Sequence, residues 1–131
     1  MRILADTSAW VEYVRDTGSP TSERLEHHLR ADELLTTDVV VMEMLAGARD
    51  DAHGARLAAL LSLPSSVPVE RTDWVDAARL QRRCRERGET VRRLPDCLIA
   101  AVAIRADVAV LHRDQDFDTL ARHTALRAQS P

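Results

Sequence analysis

Short apolar runs alternate with longer stretches of helical spacing along this chain. The apolar runs predict strands at residues 2–5, 33–37, 67–69 and 108–111, with a last strand near 125–127. The longer stretches predict helices over residues 8–16, 21–31, 39–49, 51–63, 72–87, 94–105 and 117–122. Asp38 has the side chain of an N-cap for the third helix. This alternation predicts an α/β fold, a three-layer sandwich in which helices flank a central parallel sheet of about five strands.

Composition narrows the class of protein. With 131 residues, 45% of them hydrophobic, the chain is expected to form a single domain over residues 1–131. The longest apolar runs are too short to span a membrane, and residues 1–10 lack the pattern of a signal peptide. We therefore expect a cytoplasmic protein without a membrane partner. Cys84 and Cys97 have no metal-ligand spacing and are expected to be reduced thiols.

The basic residues exclude several kinds of chemistry. All 18 are arginines, so the chain can form no lysine Schiff base and has no P-loop lysine. Its four glycines are scattered, so no glycine-rich phosphate loop is present either. The chemistry must come from other side chains.

Several acidic residues occupy positions of interest. Asp6 follows the first predicted strand, and Asp114 and Asp116 follow the fourth, so they lie where parallel sheets form their sites. Glu43 and Asp96 are each the only charge in an apolar helical stretch, where an unpaired carboxylate is costly to bury.

Each acid also has a structural interpretation. Asp6 or Asp96 could be a helix N-cap, and Glu43 could face solvent. The acids after the fourth strand, which include Asp118, could simply stabilise a turn. If the acids converge, however, a cation must neutralise them or some must be protonated. A cluster of carboxylates without His or Cys suits Mg²⁺ or Mn²⁺, which support phosphoryl chemistry.

Four pieces of sequence, in order, resemble a known family: LADTSAW at 4–10, Glu43, PDCLIAA at 95–101 and LHRDQDF at 111–117. They are similar to the PIN domain, and more narrowly to the VapC toxins of bacterial VapBC toxin–antitoxin pairs. The resemblance implies a Mg²⁺-dependent endoribonuclease, with Mn²⁺ as an alternative ion, that a cognate VapB-type antitoxin neutralises and that forms homodimers. It implies catalytic roles for Asp6, Glu43, Asp96 and Asp114, metal binding by Asp6, Asp96, Asp114 and Asp116, and supporting roles for Thr7 and Ser8.

Three features of the sequence each allow two interpretations. His112 stands where many relatives have Ser or Thr, and it could contact RNA or fill space. Residues 79–93 hold seven arginines in a chain of net charge −3, and they form either a solvated face or an RNA-binding surface. The arginines assigned to RNA binding are Arg82, Arg83, Arg85, Arg92 and Arg93. Apolar residues suited to an antitoxin groove, or equally to the core, are Trp10, Val11, Val14, Leu25 and Leu29.

Other functions fit less well. A catalytically silent PIN-like module that binds RNA or protein would be expected to lack one or more of the four acids. A phosphatase of the haloacid dehalogenase type needs DxD after the first strand and a catalytic lysine, and this chain has DTS and no lysine. A flap-endonuclease-like enzyme needs a helical clamp that 131 residues cannot hold.

Overall fold

The computed structural model describes all residues from Met1 to Pro131. Its strands are β1 (Ile3–Ala5), β2 (Leu34–Thr36), β3 (Ser65–Ser66), β4 (Ala109–Leu111) and β5 (Ala128–Gln129). Its helices are α1 (Thr7–Val14), α2 (Pro20–Arg30), α3 (Asp38–Ala46), α4 (Asp51–Leu61), α5 (Arg71–Glu86), α6 (Leu94–Ala106) and α7 (Gln115–His123). None of the helices is both long and apolar enough to cross a membrane.

The five strands form one parallel sheet in the order β3-β2-β1-β4-β5. The central strand β1 pairs with β2 through Ile3 and Leu34, and with β4 through Ile3 and Ala109. This arrangement confirms the predicted parallel α/β sheet. Because β1 and β4 are neighbours and run in the same direction, the residues that follow Ala5 and Leu111 meet at one edge of the sheet.

The core lies around the central strands and α6. β1 and β4 are buried along their whole length, and so are eight consecutive residues of α6, residues 96–103. Trp10 and Leu25 have no exposed surface, so they belong to the core. Val11 and Leu29 pack partly buried against it, while Val14 is exposed. Cys84 and Cys97 are buried free thiols, as expected.

The two edge strands differ from the prediction. β3 is Ser65–Ser66 rather than residues 67–69, because Leu35 pairs with Ser65 and Thr36 with Ser66. β5 is Ala128–Gln129 rather than residues 125–127, because Val110 pairs with Ala128. Both are two-residue strands without a buried apolar run, so hydrophobic pattern alone could not locate them.

Helix boundaries also differ in detail. Thr37, not Asp38, is the N-cap of α3, and Asp38 is the first helical residue. The first helix ends at Val14 rather than at residue 16, since Asp16 adopts a left-handed φ of 53°. The last helix begins at Gln115, two residues before the predicted start, because Asp114 accepts a hydrogen bond from the backbone N–H of Asp116 and caps it.

Candidate active site

A cleft of about 640 Å³ opens at the carboxyl edge of the sheet. Three of the predicted acids line it, namely Asp6, Asp96 and Asp114. Asp6 comes from the end of β1, Asp96 from the first turn of α6, and Asp114 from the segment between β4 and α7. The sheet topology therefore brings together residues that lie more than a hundred positions apart in sequence.

Asp6 serves both as a helix cap and as part of the cleft. Its Oδ1 accepts a hydrogen bond of 2.9 Å from the backbone N–H of Ala9, which caps α1. The Ser8 hydroxyl lies 2.7 and 2.8 Å from the two carboxylate oxygens and donates to them. Burial is the main reason that the pKa of Asp6 rises to about 7, and the nearby charge of Asp114 adds to it.

Asp96, Asp114 and Asp116 form the tightest acidic group. One carboxylate oxygen from each lies within 4.8 Å of the other two, close enough for a single ion to contact all three. Asp96 is the third residue of α6 rather than its N-cap, which is Arg93. Burial, followed by the neighbouring carboxyls of Asp116 and Asp114, raises the pKa of Asp96 to about 8.

Asp116 joins this group to the chain segment that precedes α6. Its two oxygens accept hydrogen bonds of 3.1 and 3.0 Å from the backbone N–H groups of Arg92 and Arg93. Burial opposes ionisation of Asp116, but these two hydrogen bonds and its contact with Asp96 lower its pKa overall. Asp116 thus holds the start of α6 in place beside the other acids.

Glu43 lies beside the cleft and is joined to it through two of the lining residues. The Thr7 hydroxyl donates to Glu43 Oε1 at 2.7 Å, and Arg93 forms an ion pair with Oε2. The charge of Glu43 raises the pKa of Arg93. Glu43 therefore does not face open solvent, since its side chain is only 9% exposed.

His112 is buried directly behind Asp114. Its side chain is 1% exposed and packs against the ring of Phe117, with 5.3 Å between the ring centres. Its Nδ1 accepts a hydrogen bond of 3.1 Å from the backbone N–H of Asp114. Of the two alternatives for this residue, the structure supports packing, with the added task of holding the Asp114 backbone.

The arginine-rich segment divides into two parts. Arg92 and Arg93 reach the acids: Arg92 lies 3.9 Å from Asp114 and 3.7 Å from Asp116, and Arg93 lines the cleft. The other three arginines assigned to RNA binding lie exposed on the last turns of α5 and do not line the cleft; they are Arg82, Arg83 and Arg85. Sequence reasoning missed another lining arginine, Arg113, whose only sequence signal is its position immediately before Asp114.

The donor set fits a divalent cation. Asp96 Oδ2 is buried and has no hydrogen-bond partner, although it lies among carboxylates that would repel one another when ionised. A cation would satisfy this oxygen and allow the carboxylates to ionise together. Because the group contains oxygen ligands only, with no His or Cys, it suits a hard ion such as Mg²⁺ or Mn²⁺.

The sequence matches the PIN domain family model over residues 3–123. The chain belongs to the PIN domain family. It is 45% identical to Ribonuclease VapC11 of Mycobacterium tuberculosis over 131 residues, which cover 98% of each chain. It is 28% identical to Ribonuclease VapC51 of the same organism over 130 residues, which cover 98% of this chain and 92% of that one.

Solved structures of VapBC proteins show the same fold. VapBC-5 of Mycobacterium tuberculosis, a toxin–antitoxin system, matches with a TM-score of 0.69 and 25% identity over the full length of both chains. VapBC2 of Rickettsia felis, bound to a fragment of promoter DNA, matches with a TM-score of 0.78 over 98% of each chain. At 16% identity, the second match concerns the fold alone.

Proposed function

We propose that this PIN-domain protein is a Mg²⁺-dependent endoribonuclease, the toxin of a VapBC-type pair, and that its 131 residues act as one domain. The observation that carries the proposal is the cluster of Asp96, Asp114 and Asp116 with an unpartnered buried oxygen at the cleft. The names of its relatives, which are VapC ribonucleases, point to RNA as the substrate.

The residues of the cleft have different proposed roles. In this proposal Asp96, Asp114 and Asp116 would hold the ion together, and Asp6, which lines the same cleft outside that group, would add a fourth carboxylate. When bound there, Mg²⁺ supplies activation of water and stabilisation of negative charge on a phosphate. Ser8 orients Asp6, and His112 and Asp116 hold the backbone segments on either side of the cluster.

Glu43 is the proposed proton acceptor. Thr7 fixes one of its oxygens, and the ion pair with Arg93 orients the other. In this proposal Glu43 takes the proton of the attacking water. Attack in line with the leaving oxygen leaves a 5′-phosphate and a 3′-hydroxyl.

The proposed partner is a VapB-type antitoxin. Several structural neighbours of this chain are toxin–antitoxin complexes, among them VapBC of Salmonella typhimurium, bound to DNA, with a TM-score of 0.75. We propose further that the toxin forms a homodimer within such a complex. Co-expression with a candidate VapB-type antitoxin, followed by size measurement of the purified complex, tests both. A protein that purifies alone and monomeric from that co-expression contradicts both.

The decisive experiment maps RNA ends. The purified chain is incubated with total cellular RNA in Mg²⁺ or in EDTA, and new 5′-phosphate ends are sequenced. We expect a few discrete sites in Mg²⁺, none in EDTA, and none with the Asp6→Asn variant. Asp107→Asn is the matched control, because Asp107 is exposed and lies at the other end of the sheet.

Two results would contradict the proposal. If Asp6→Asn cleaves as fast as the wild type, the cleft is not the active site. If the folded wild type creates no new ends, the protein is better described as a silent PIN-like module that binds RNA or protein.

A further inference from the structure

Two arginine side chains lie among the acids of the cleft. Of the ten residues that line it, Arg93 and Arg113 are the only basic ones. Arg93 is tied to Glu43 of α3, whereas Arg113 is tied to Glu12 of α1. The cleft therefore has one positive group paired with α3 and another paired with α1.

Arg113 is fixed at both its backbone and its side chain. Its backbone N–H donates to the Ser8 hydroxyl at 2.8 Å, and the same hydroxyl contacts Asp6. Its Nη1 donates to Glu12 Oε1 at 2.5 Å. Glu12 in turn accepts a hydrogen bond of 3.2 Å from the Thr17 hydroxyl, and Thr17 also lines the cleft.

The guanidinium nevertheless keeps most of its binding capacity. Only Nη1 has a protein partner, so Nε and Nη2 remain able to donate. The side chain is 57% exposed and lies along the cleft. A planar fork with free N–H groups, already oriented by a carboxylate, is the arrangement that binds a phosphate with two parallel hydrogen bonds.

We propose that Arg113 binds a phosphate of the RNA backbone next to the one that is cleaved, so that the RNA strand crosses the cleft along α1. This inference rests on the proposed ribonuclease function. It assigns the substrate contact to a residue outside the arginine-rich segment, residues 79–93. Arg82, Arg83 and Arg85 do not line the cleft, so they are not needed for this contact.

The chain offers a closely matched control. Arg127 is also an exposed arginine in an ion pair with an acid, and its side chain is 58% exposed against 57% for Arg113. Arg127 contacts Asp107 near the amino end of the sheet, away from the cleft. Arg113→Ala and Arg127→Ala therefore remove the same charge and one ion pair each, and differ in location and in the acid they leave behind.

The experiment measures RNA binding and cleavage in parallel. The probe is a short fluorescein-labelled single-stranded RNA, and its dissociation constant is measured by anisotropy in Ca²⁺ over a series of salt concentrations. Ca²⁺ is chosen for the binding measurement because it also takes oxygen ligands but coordinates them less regularly than Mg²⁺, the ion used to measure cleavage. Cleavage of total RNA in Mg²⁺ is followed by end mapping, and thermal melting verifies the fold of each variant.

We expect Arg113→Ala to weaken binding about tenfold, the loss typical of one charge-assisted hydrogen-bond pair. The slope of log affinity against log salt should fall by about 0.7, which corresponds to one phosphate contact. Arg127→Ala should match the wild type in both. Arg113→Lys should restore the slope, because it keeps the charge, but not the full affinity, because it lacks the planar fork.

The outcomes separate this inference from the proposed function. If the wild type binds and cleaves RNA but Arg113→Ala behaves like Arg127→Ala, the role of Arg113 is refuted and the ribonuclease proposal stands. If the folded wild type neither binds nor cleaves RNA, the ribonuclease proposal fails and the role of Arg113 fails with it.

Discussion

Asp6 is a buried carboxyl whose ionisation should govern how stability depends on pH. Asp6 is 2% exposed, and burial raises the pKa of its carboxyl from the ordinary value of 3.8 to about 7. Because the pKa is higher in the folded chain than in the unfolded chain, the stability that Asp6 contributes is complete below about pH 4. That stability is lost as the pH rises through about 7 in the absence of a metal ion.

The magnitude follows from the same two pKa values. One pKa unit corresponds to about 1.4 kcal/mol, so the difference between 3.8 and about 7 corresponds to roughly 4 kcal/mol of folding free energy. The Asp6→Asn variant removes the ionisable group, while its side-chain oxygen can still accept from Ala9. Asp96, whose pKa rises from 3.8 to about 8, should add a decline of its own in both proteins, and this decline overlaps that of Asp6 and continues to about pH 8.

The assay is urea denaturation in EDTA at a series of pH values from about 5 to about 8. The free energy of unfolding of the wild type should fall steeply from about pH 5 to about pH 7, and that of Asp6→Asn should fall less steeply there. Above about pH 7 the two should fall in parallel, because only Asp96 still titrates differently in the folded chain. Added Mg²⁺ should reduce the decline in the wild type, because a cation favours the ionised carboxylates. Asp107→Asn, at a site that is 95% exposed, should follow the wild type. The reasoning is refuted if Asp6→Asn loses stability with pH as steeply as the wild type does.

Three further substitutions probe other parts of the site and its support. Glu43→Gln should slow RNA cleavage at least about 100-fold, because it removes the proposed base. Its melting temperature should change little, since glutamine still accepts the hydrogen bond from Thr7. An unchanged initial rate would exclude Glu43 as the base. Asp116→Asn places an amide against one of the two backbone N–H groups before α6 and should cost about 1–3 kcal/mol in urea denaturation. Asp73→Ala removes the buried partner of Arg105. Because that guanidinium is 29% exposed, the free energy of unfolding should fall by about 3 kcal/mol in thermal denaturation. A loss well below 1 kcal/mol would show that the pair is dispensable.

The strongest sequence predictions rested on local periodicity. The strands β1 and β4 are apolar throughout, and α6 is apolar except for Asp96 and Arg105, so their hydrophobic runs located them within about two residues. The positions of Asp6 and Asp114 followed from the same pattern, because each comes directly or shortly after a buried strand. The family resemblance added the pairing of these acids with Asp96 and Glu43, which no local pattern contains.

Other features depended on contacts between distant segments. The edge strand β3 consists of two serines, which become a strand only because β2 offers unpaired backbone groups beside them. The partners of Asp116 are backbone N–H groups more than twenty residues away, and those of Glu43 are Thr7 and Arg93. Side-chain identity alone could not distinguish these partners from other polar residues of the chain.

By itself, the sequence determined the order of helices and strands, because hydrophobic periodicity is a local property. That order predicted the parallel sheet with acids at its carboxyl edge, because a helix between successive strands is the connection that parallel strands need. Only the tertiary structure decided which acids share one small volume and how burial raises the pKa values of Asp6 and Asp96. It also decided that Arg93 and Arg113 line the cleft while Arg82, Arg83 and Arg85 do not. Those properties depend on distances and desolvation between segments that the chain brings together only when it folds.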